Sequence, residues 1–396
     1  MDDFNAHWRS SANEAVPYSE DIPECLSVFP ELIDGATGQG NATKVNITIV
    51  LNDNNSTMSV SDNGKGISNT RRLLTWASKE SIDLTHRYGH GSKKCLTKWS
   101  KDYTTANWFI RYRTCDKRGK SSSLFTYTSP FKGLDTHEEE DAENENILMP
   151  SGTEWHIDFD KSILKDYKSA PNLLKILKEI IRTRYSSKYL SKTEFIITIT
   201  EGDTIITESS KDTTKNWKTF EECLKDEVVE GNAKITYNEI HPFISDTTMR
   251  YTQYSLSKIS GKQKFNLKNE FPTYGHKNMN CARLHIALDG RTIEIPHIWK
   301  FMRDRDGPHN DYNGIFGIID FIGLNGKWDN MPTPCTTKVS YVCECTNYIQ
   351  MKNMLYEIHD KIKSEPKSSI VLKSELSDKS IILEKIESNP KIKLYK

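Results

Sequence analysis

Apolar positions along this chain switch between a spacing of two and a spacing near 3.6, the signature of interleaved strands and helices. Leu26, Phe29, Leu32 and Ile33 fall near one face of a helix over residues 23–33. Val45, Ile47, Ile49 and Leu51 alternate with polar residues, which predicts a strand over 44–51. A short strand over 58–60 runs into the turn-rich Ser61-Asp62-Asn63-Gly64-Lys65-Gly66. Leu73, Leu74 and Trp76 predict a helix over 69–77, and a second over 93–99 follows a glycine-containing loop at 86–91. Strands are expected at 108–114, 123–127 and 155–159, and the acidic run 135–145 is expected to be a solvated loop.

A boundary is expected at residues 160–167. Beyond it, Ser169 is placed to cap a helix with Pro171 in its first turn and Leu173, Leu174, Leu177, Ile180, Ile181 and Tyr185 on its apolar face. Strands are expected at 194–200, 233–237, 283–288, 315–321 and 339–343, with a polar excursion at 208–220. Met351, Leu355, Ile358 and Ile362 mark a last helix before a tail that alternates apolar patches with Lys and Glu. No internal repeat of ~20–50 residues is present. The class is α/β (α+β) with two domains, 1–162 and 163–396, and the length of 396 residues suits that at ~100–200 residues each.

Composition narrows the choice of function. Lys plus Arg and Asp plus Glu are both 54, so no excess charge exists to coat a nucleic acid. Aromatics at 10% exclude a disordered chain. No apolar run nears the ~20 residues of a membrane span, and Met1-Asp2-Asp3-Phe4 begins no secretory signal. Eight cysteines without a CxxC pair are too few for a disulfide scaffold, and Cys343 and Cys345 read as small thiols on one strand face. The Asn-x-Ser/Thr sequons at Asn41, Asn46 and Asn55 are then chance occurrences in an Asn-rich chain. An intracellular protein without membrane contact is expected, nuclear or cytoplasmic.

Four short segments carry candidate chemistry. Glu31-Leu32-Ile33-Asp34-Gly35-Ala36 ends the first helix, where Glu31 is placed to orient and deprotonate a water. Asp62-Asn63-Gly64-Lys65-Gly66 follows a strand. Its glycines allow close backbone approach, and its carboxylate can accept from an exocyclic amine such as that of adenine. Tyr88-Gly89-His90-Gly91-Ser92-Lys93-Lys94 opens a helix, where backbone N–H groups and a lysine make an anion site. Ser151-Gly152-Thr153-Glu154 leads into a strand. Neither a Walker loop nor a dinucleotide fingerprint is present.

The order E-x-x-D-x-A, D-x-G-x-G, G-x-G-x-K, G-T over residues 10–160 resembles that of the GHKL (Bergerat-fold) ATPases. The resemblance implies a Bergerat-type ATPase sandwich followed by a smaller transducer-like α/β domain. It implies Glu31 as general base and Asp62 as the adenine-reading carboxylate, with Thr153 helping through water. Gly64 and Gly66 form the floor under the base, Gly89, His90, Gly91, Ser92 and Lys93 the phosphate lid, and Asp34 a further nucleotide contact. It also implies Mg2+, and there the chain departs from the pattern: Gly35 occupies the place of the usual Mg-binding Asn, leaving Asn41 or Asp34 to substitute. The spacing over 37–41 is slightly longer than the family's.

In the second half, Asn313-Gly314-Ile315-Phe316-Gly317, an apolar strand and a Pro-Thr loop ending in Lys338 are similar to the MORC branch. On that resemblance Lys338 contacts the γ-phosphate of ATP from the second domain. The implied function is ATP binding and slow hydrolysis by a MORC/MutL-like homodimeric clamp on DNA or chromatin-like complexes. The strap at 1–20 would cross to the partner subunit, and a partner protein would supply effector or DNA-gripping modules. Arg71, Arg72, Lys98 and Lys101 are as well explained by solvated faces as by DNA contact. The alternative is a nucleotide-binding dimerisation scaffold with little or no turnover, because of Gly35.

Overall fold

Alternation in Lys44–Leu51 makes it strand β1, with Val45, Ile47, Ile49 and Leu51 buried and the intervening side chains partly or fully exposed. The computed structural model describes residues 24–39, 41–67, 99, 108–128, 138–140, 150–167, 169–215, 217–256, 267, 270–271, 282–302, 313–323, 330–334 and 341–364. The chain divides into a unit over Met1–Tyr356 and a small one over Glu357–Lys396.

Within the first unit, β1 joins β2 (Ser56–Asp62), β3 (Trp108–Arg113), β4 (Leu124–Thr128), β5 (Glu138–Glu140), β6 (Gly152–Phe159), β7 (Glu194–Glu201) and β8 (Thr204–Ser209). The sheet order is β5-β4-β3-β6-β2-β1-β7-β8. All neighbours are antiparallel except β1 and β7. A parallel pair needs a long crossover, and helices α2 (Ala170–Arg184) and α3 (Ser187–Lys192) lie along it. The first sheet therefore continues to Ser209, and the boundary expected at 162/163 does not separate the sheets.

Helix α2 starts after Ser169 with proline in its first turn and ends at Tyr185, whose N–H donates to Ile181 O. Leu173, Leu174, Leu177, Ile180 and Ile181 are buried. At ~1.5–3 kcal/mol each this face contributes roughly 8–15 kcal/mol of gross burial, an upper figure. Helix α1 (Val28–Asp34) is buried at all seven positions and continues as a π-helical turn over Gly35–Gln39. Trp99 anchors the start of α1: its Nε1–H donates to Cys25 O at 2.7 Å, and its ring meets Phe29 and Phe159 edge-on.

The second sheet contains β9 (Ala233–Pro242), β10 (Thr247–Leu256), β11 (Leu284–Leu288), β12 (Arg291–Glu294) and β13 (Ile315–Gly323), in the order β12-β11-β13-β10-β9. Only β11 and β13 are parallel. Helix α4 (Phe220–Val229) contributes Phe220 and Leu224 to the core with Tyr254 and Phe316. A capping box fixes its start. The Thr219 hydroxyl accepts from the Glu222 N–H at 3.2 Å, and the Glu222 carboxylate accepts from the Thr219 N–H at 2.7 Å.

Three expectations differ from the structure. Glu138–Glu140, expected in a loop, is edge strand β5. Residues 208–220 are not simply an exposed excursion: β8 runs to Ser209, and Trp217 and Phe220 are buried, Trp217 beneath the Lys178 ammonium. At 339–343 the described residues show an isolated bridge between Tyr341 and Pro334 rather than a strand. Helix α5 (Thr346–Ser364) matches the last predicted helix, and residues 357–364 are the described part of the small unit. The mixed α/β class is the one the sequence predicts. Among the described residues no helix is long and apolar enough to cross a membrane, and none of the described cysteines is disulfide-bonded.

Candidate functional site

Asp62 is the last residue of β2, opposite Thr153 on β6 and Val45 on β1. Beyond it the chain turns sharply, because the Gly64 N–H donates to Asp62 Oδ1 at 2.7 Å. The Gly64 carbonyl accepts from the Ser151 hydroxyl at 2.7 Å. Gly66 has φ +71°, and a Cβ there would lie 2.1 Å from the Arg113 carbonyl oxygen at the end of β3. Only glycine permits that approach. Loop 62–66 is thus pressed against the ends of β6 and β3, with the Asp62 carboxylate at its root.

Asp62 is 8% exposed. Burial pushes its carboxyl up to about 6 from 3.8, while the Gly64 and Thr153 amides pull the other way. A carboxylate held by backbone amides in a buried position is a strong acceptor for an N–H donor.

The end of β2 is tied to the segment leaving α1. Asn63 Oδ1 accepts from the Thr43 and Lys44 amides at 3.0 and 2.8 Å, and its Nδ2 donates to the Thr43 hydroxyl at 2.9 Å. The Ala42 N–H in turn donates to Ala36 O at 3.0 Å. The Glu31–Ala36 segment and the Asp62–Gly66 loop therefore belong to one hydrogen-bonded frame.

Within that frame Glu31 and Asp34 are both buried, one helical turn apart. Asp34, expected among the nucleotide contacts, binds Arg291 of the second sheet and Tyr185 at the end of α2. Its Oδ1 accepts from Arg291 Nε at 2.7 Å and from the Tyr185 hydroxyl at 2.9 Å, and its Oδ2 accepts from Arg291 Nη2 at 3.1 Å. Burial opposes the guanidinium's charge, but Asp34 foremost holds Arg291 above its ordinary value, and Glu31 adds to that effect. Burial and then the Asp34 charge push the Tyr185 hydroxyl well up.

The described residues do not fit Mg2+, which takes a near-octahedral set of oxygens. Gly35 offers none, and the space beside its Cα is open. Both oxygens of Asp34 are engaged as above. Asn41 is exposed with φ +49°. No cluster of three His, Cys, Asp or Glu suited to a metal occurs among the described residues.

Gly89, His90, Gly91, Ser92, Lys93 and Lys338 lie outside the described residues, as do 1–20, Arg71, Arg72, Lys98 and Lys101. The residues to which motif reading gave no role at the site are Ser151, Arg113, Tyr185 and Arg291. Ser151 immediately precedes Gly-Thr and was within reach. Arg291 is separated from Asp34 by 257 residues and carries no local signal. A cavity of about 40 Å³ lies between the end of α2 and the second sheet, lined by Arg182, Arg250, His285 and Asp320 among others. It has room for a water or two, not for a nucleotide. No protein-family model matches the chain, and no curated protein matches it.

Proposed function

We propose that this chain binds an adenine nucleotide, ATP, with the base over the 62–66 loop and its exocyclic amine donating to Asp62. The buried Asp62 carboxylate at the root of a glycine loop packed tightly on the ends of β6 and β3 carries this reading. The resemblance to the GHKL ATPases, and to their MORC/MutL-like branch, supports ATP as the nucleotide and a Bergerat-type arrangement of the first sheet. On that reading Glu31 holds the attacking water and takes its proton as the water oxygen bonds the γ-phosphorus and ADP leaves. Lys338 and the 89–93 lid would meet the phosphates. ATP would favour a closed homodimer through contacts made only in that state, as a clamp on DNA or a chromatin-like complex.

Turnover is proposed to be slow. The place of the metal-binding Asn is a glycine, and the neighbouring Asp34 is engaged by Arg291. The same two observations favour the second reading, a nucleotide-responsive scaffold with little or no hydrolysis.

Calorimetry with ATP, ADP and a non-hydrolysable ATP analogue, with and without Mg2+, tests binding, while light scattering follows mass. Binding about 10- to 100-fold weaker in Asp62→Asn, with a rise in mass on ATP in the wild type, is the expected result. No binding at millimolar nucleotide sinks the proposal. Phosphate release abolished in Glu31→Ala while binding persists marks an enzyme, and an unchanged, near-zero rate marks the scaffold.

A further inference from the structure

Arg291 opens β12 with its side chain fully buried. Two of its nitrogens grip the two oxygens of Asp34 at 2.7 and 3.1 Å, while Nη1 donates to the Thr292 carbonyl of its own strand. Its guanidinium carbon lies 4.9 Å from the centre of the Tyr185 ring. The Tyr185 hydroxyl bridges Asp34 Oδ1 and the Pro30 carbonyl, at 2.9 and 3.1 Å. The backbone beside it is bound too. Tyr185 and Arg291 form a β-bridge, the Ser186 N–H donates to Gly290 O at 2.9 Å, and Arg184 Nη1 donates to the Thr292 and Ile293 carbonyls. One turn of α1, the end of α2 and the start of β12 are thus held at one point.

We propose that Arg291 couples the nucleotide site to the second sheet without forming part of it: the Asp34–Arg291 pair makes α1 and β12 move as one body when that site fills. A buried ion pair parted on one side leaves a stranded charge, so α1 cannot shift while β12 stays behind. The two-pronged contact fixes orientation as well as distance, which a single point charge would not do. Glu31 lies on the same helix turn and its charge is felt at Arg291. A change in occupancy or protonation beside Glu31 therefore reaches the second sheet through this pair, whatever Lys338 contributes. The proposal rests on the nucleotide-binding reading for its trigger, though not for the mechanical link itself.

Hydrogen exchange of the full chain, read in peptides covering 28–39 and 284–295 with and without ATP, tests it. In the wild type ATP slows exchange in both peptides, by about tenfold or more, within the usual range of coupling between sites. Arg291→Met, and Arg291→Lys, which keeps the charge without the fork, retain ATP binding because the 62–66 loop is untouched. In both, slowing at 284–295 falls below about twofold while that at 28–39 persists. Equal responses of the two peptides in wild type and variants overturn the coupling. Where Arg291→Met fails to fold, Arg291→Lys carries the comparison. If the wild type binds no ATP, the nucleotide reading has failed and the link is judged without ligand. Asp34→Asn must then speed exchange in 284–295 as well as in 28–39, and an effect confined to 28–39 overturns it.

Discussion

Replacing Asp62 by Asn keeps the shape of the side chain and removes its charge. A rise from 3.8 to about 6 is worth about 3 kcal/mol between the two protonation states. Because the folded-state value is raised, Asp62 favours the folded chain most below pH 3.8, and that contribution is lost as pH climbs through about 6. At pH 7.5 the wild type therefore carries a buried charge that destabilises it by about 3 kcal/mol relative to a neutral isostere. Asn keeps an oxygen able to accept from the Gly64 N–H. Asp62→Asn should then be more stable than wild type at pH 7.5, by up to about 3 kcal/mol, with the gap closing toward pH 4. Urea unfolding of both proteins at several pH values, followed by tryptophan fluorescence, measures the gap. A variant less stable than wild type at pH 7.5, or a gap independent of pH, refutes the reasoning. ATP affinity supplies the other half. Wild-type binding should weaken as pH falls through about 6, where the acceptor is protonated. The variant, lacking a hydrogen bond to a charged group worth about 1.5–3 kcal/mol, should bind about 10- to 100-fold more weakly at pH 7.5.

Gly66→Ala should destabilise the chain more than Gly119→Ala. Both have positive φ, at about 1–2 kcal/mol for an added Cβ, but Gly119 has open space where Gly66 has the Arg113 carbonyl at 2.1 Å. The clash adds about 1–3 kcal/mol, and equal losses in thermal unfolding would deny the close approach. Gly35→Asn fits the open space beside α1 and should leave stability within about 0.5 kcal/mol, since Asn is no worse than Gly in a helix. It should also make ATP binding tighter in Mg2+ than without it. A variant as indifferent to Mg2+ as the wild type would show that position 35 does not face the phosphates.

Legibility of the fold followed local pattern. β1 and α2 were predicted close to their observed limits, and α5 from four apolar positions inside it, because each repeats one spacing over many residues. β10 is central to the second sheet and went unread: Thr247–Leu256 is buried at most positions and mixes polar with aromatic residues, so it shows no alternation. Gln253 and Thr252 are buried there with polar partners on the neighbouring strand β9, Thr236 and Asn238. Helix α4 did have a legible start, since Thr219 and Glu222 stand at capping-box spacing. The continuation of the first sheet past residue 163 has a non-local cause. Nothing within Glu194–Glu201 says that it will pair with Lys44–Leu51.

The candidate site divides in the same way. Asp62, Gly64, Gly66 and Thr153 were legible because the turn chemistry that brings them together is local to two strand ends. The fate of Asp34 was not, because a helical motif reports which side chains share a face but not what lies opposite that face. Glu31 and Asp34 share one face by their spacing, and motif reading gave both to the nucleotide. Arg291, from a strand that completes a different sheet, claims the second of them. A carboxylate committed to a buried arginine is a poor donor for a metal, since releasing it strands the guanidinium. The absence of an oxygen at Gly35 and the engagement of Asp34 thus bear on one property. The turn after Glu31 is built to hold the two sheets together, and any nucleotide chemistry at Glu31 must proceed on a helix that the second sheet keeps in place.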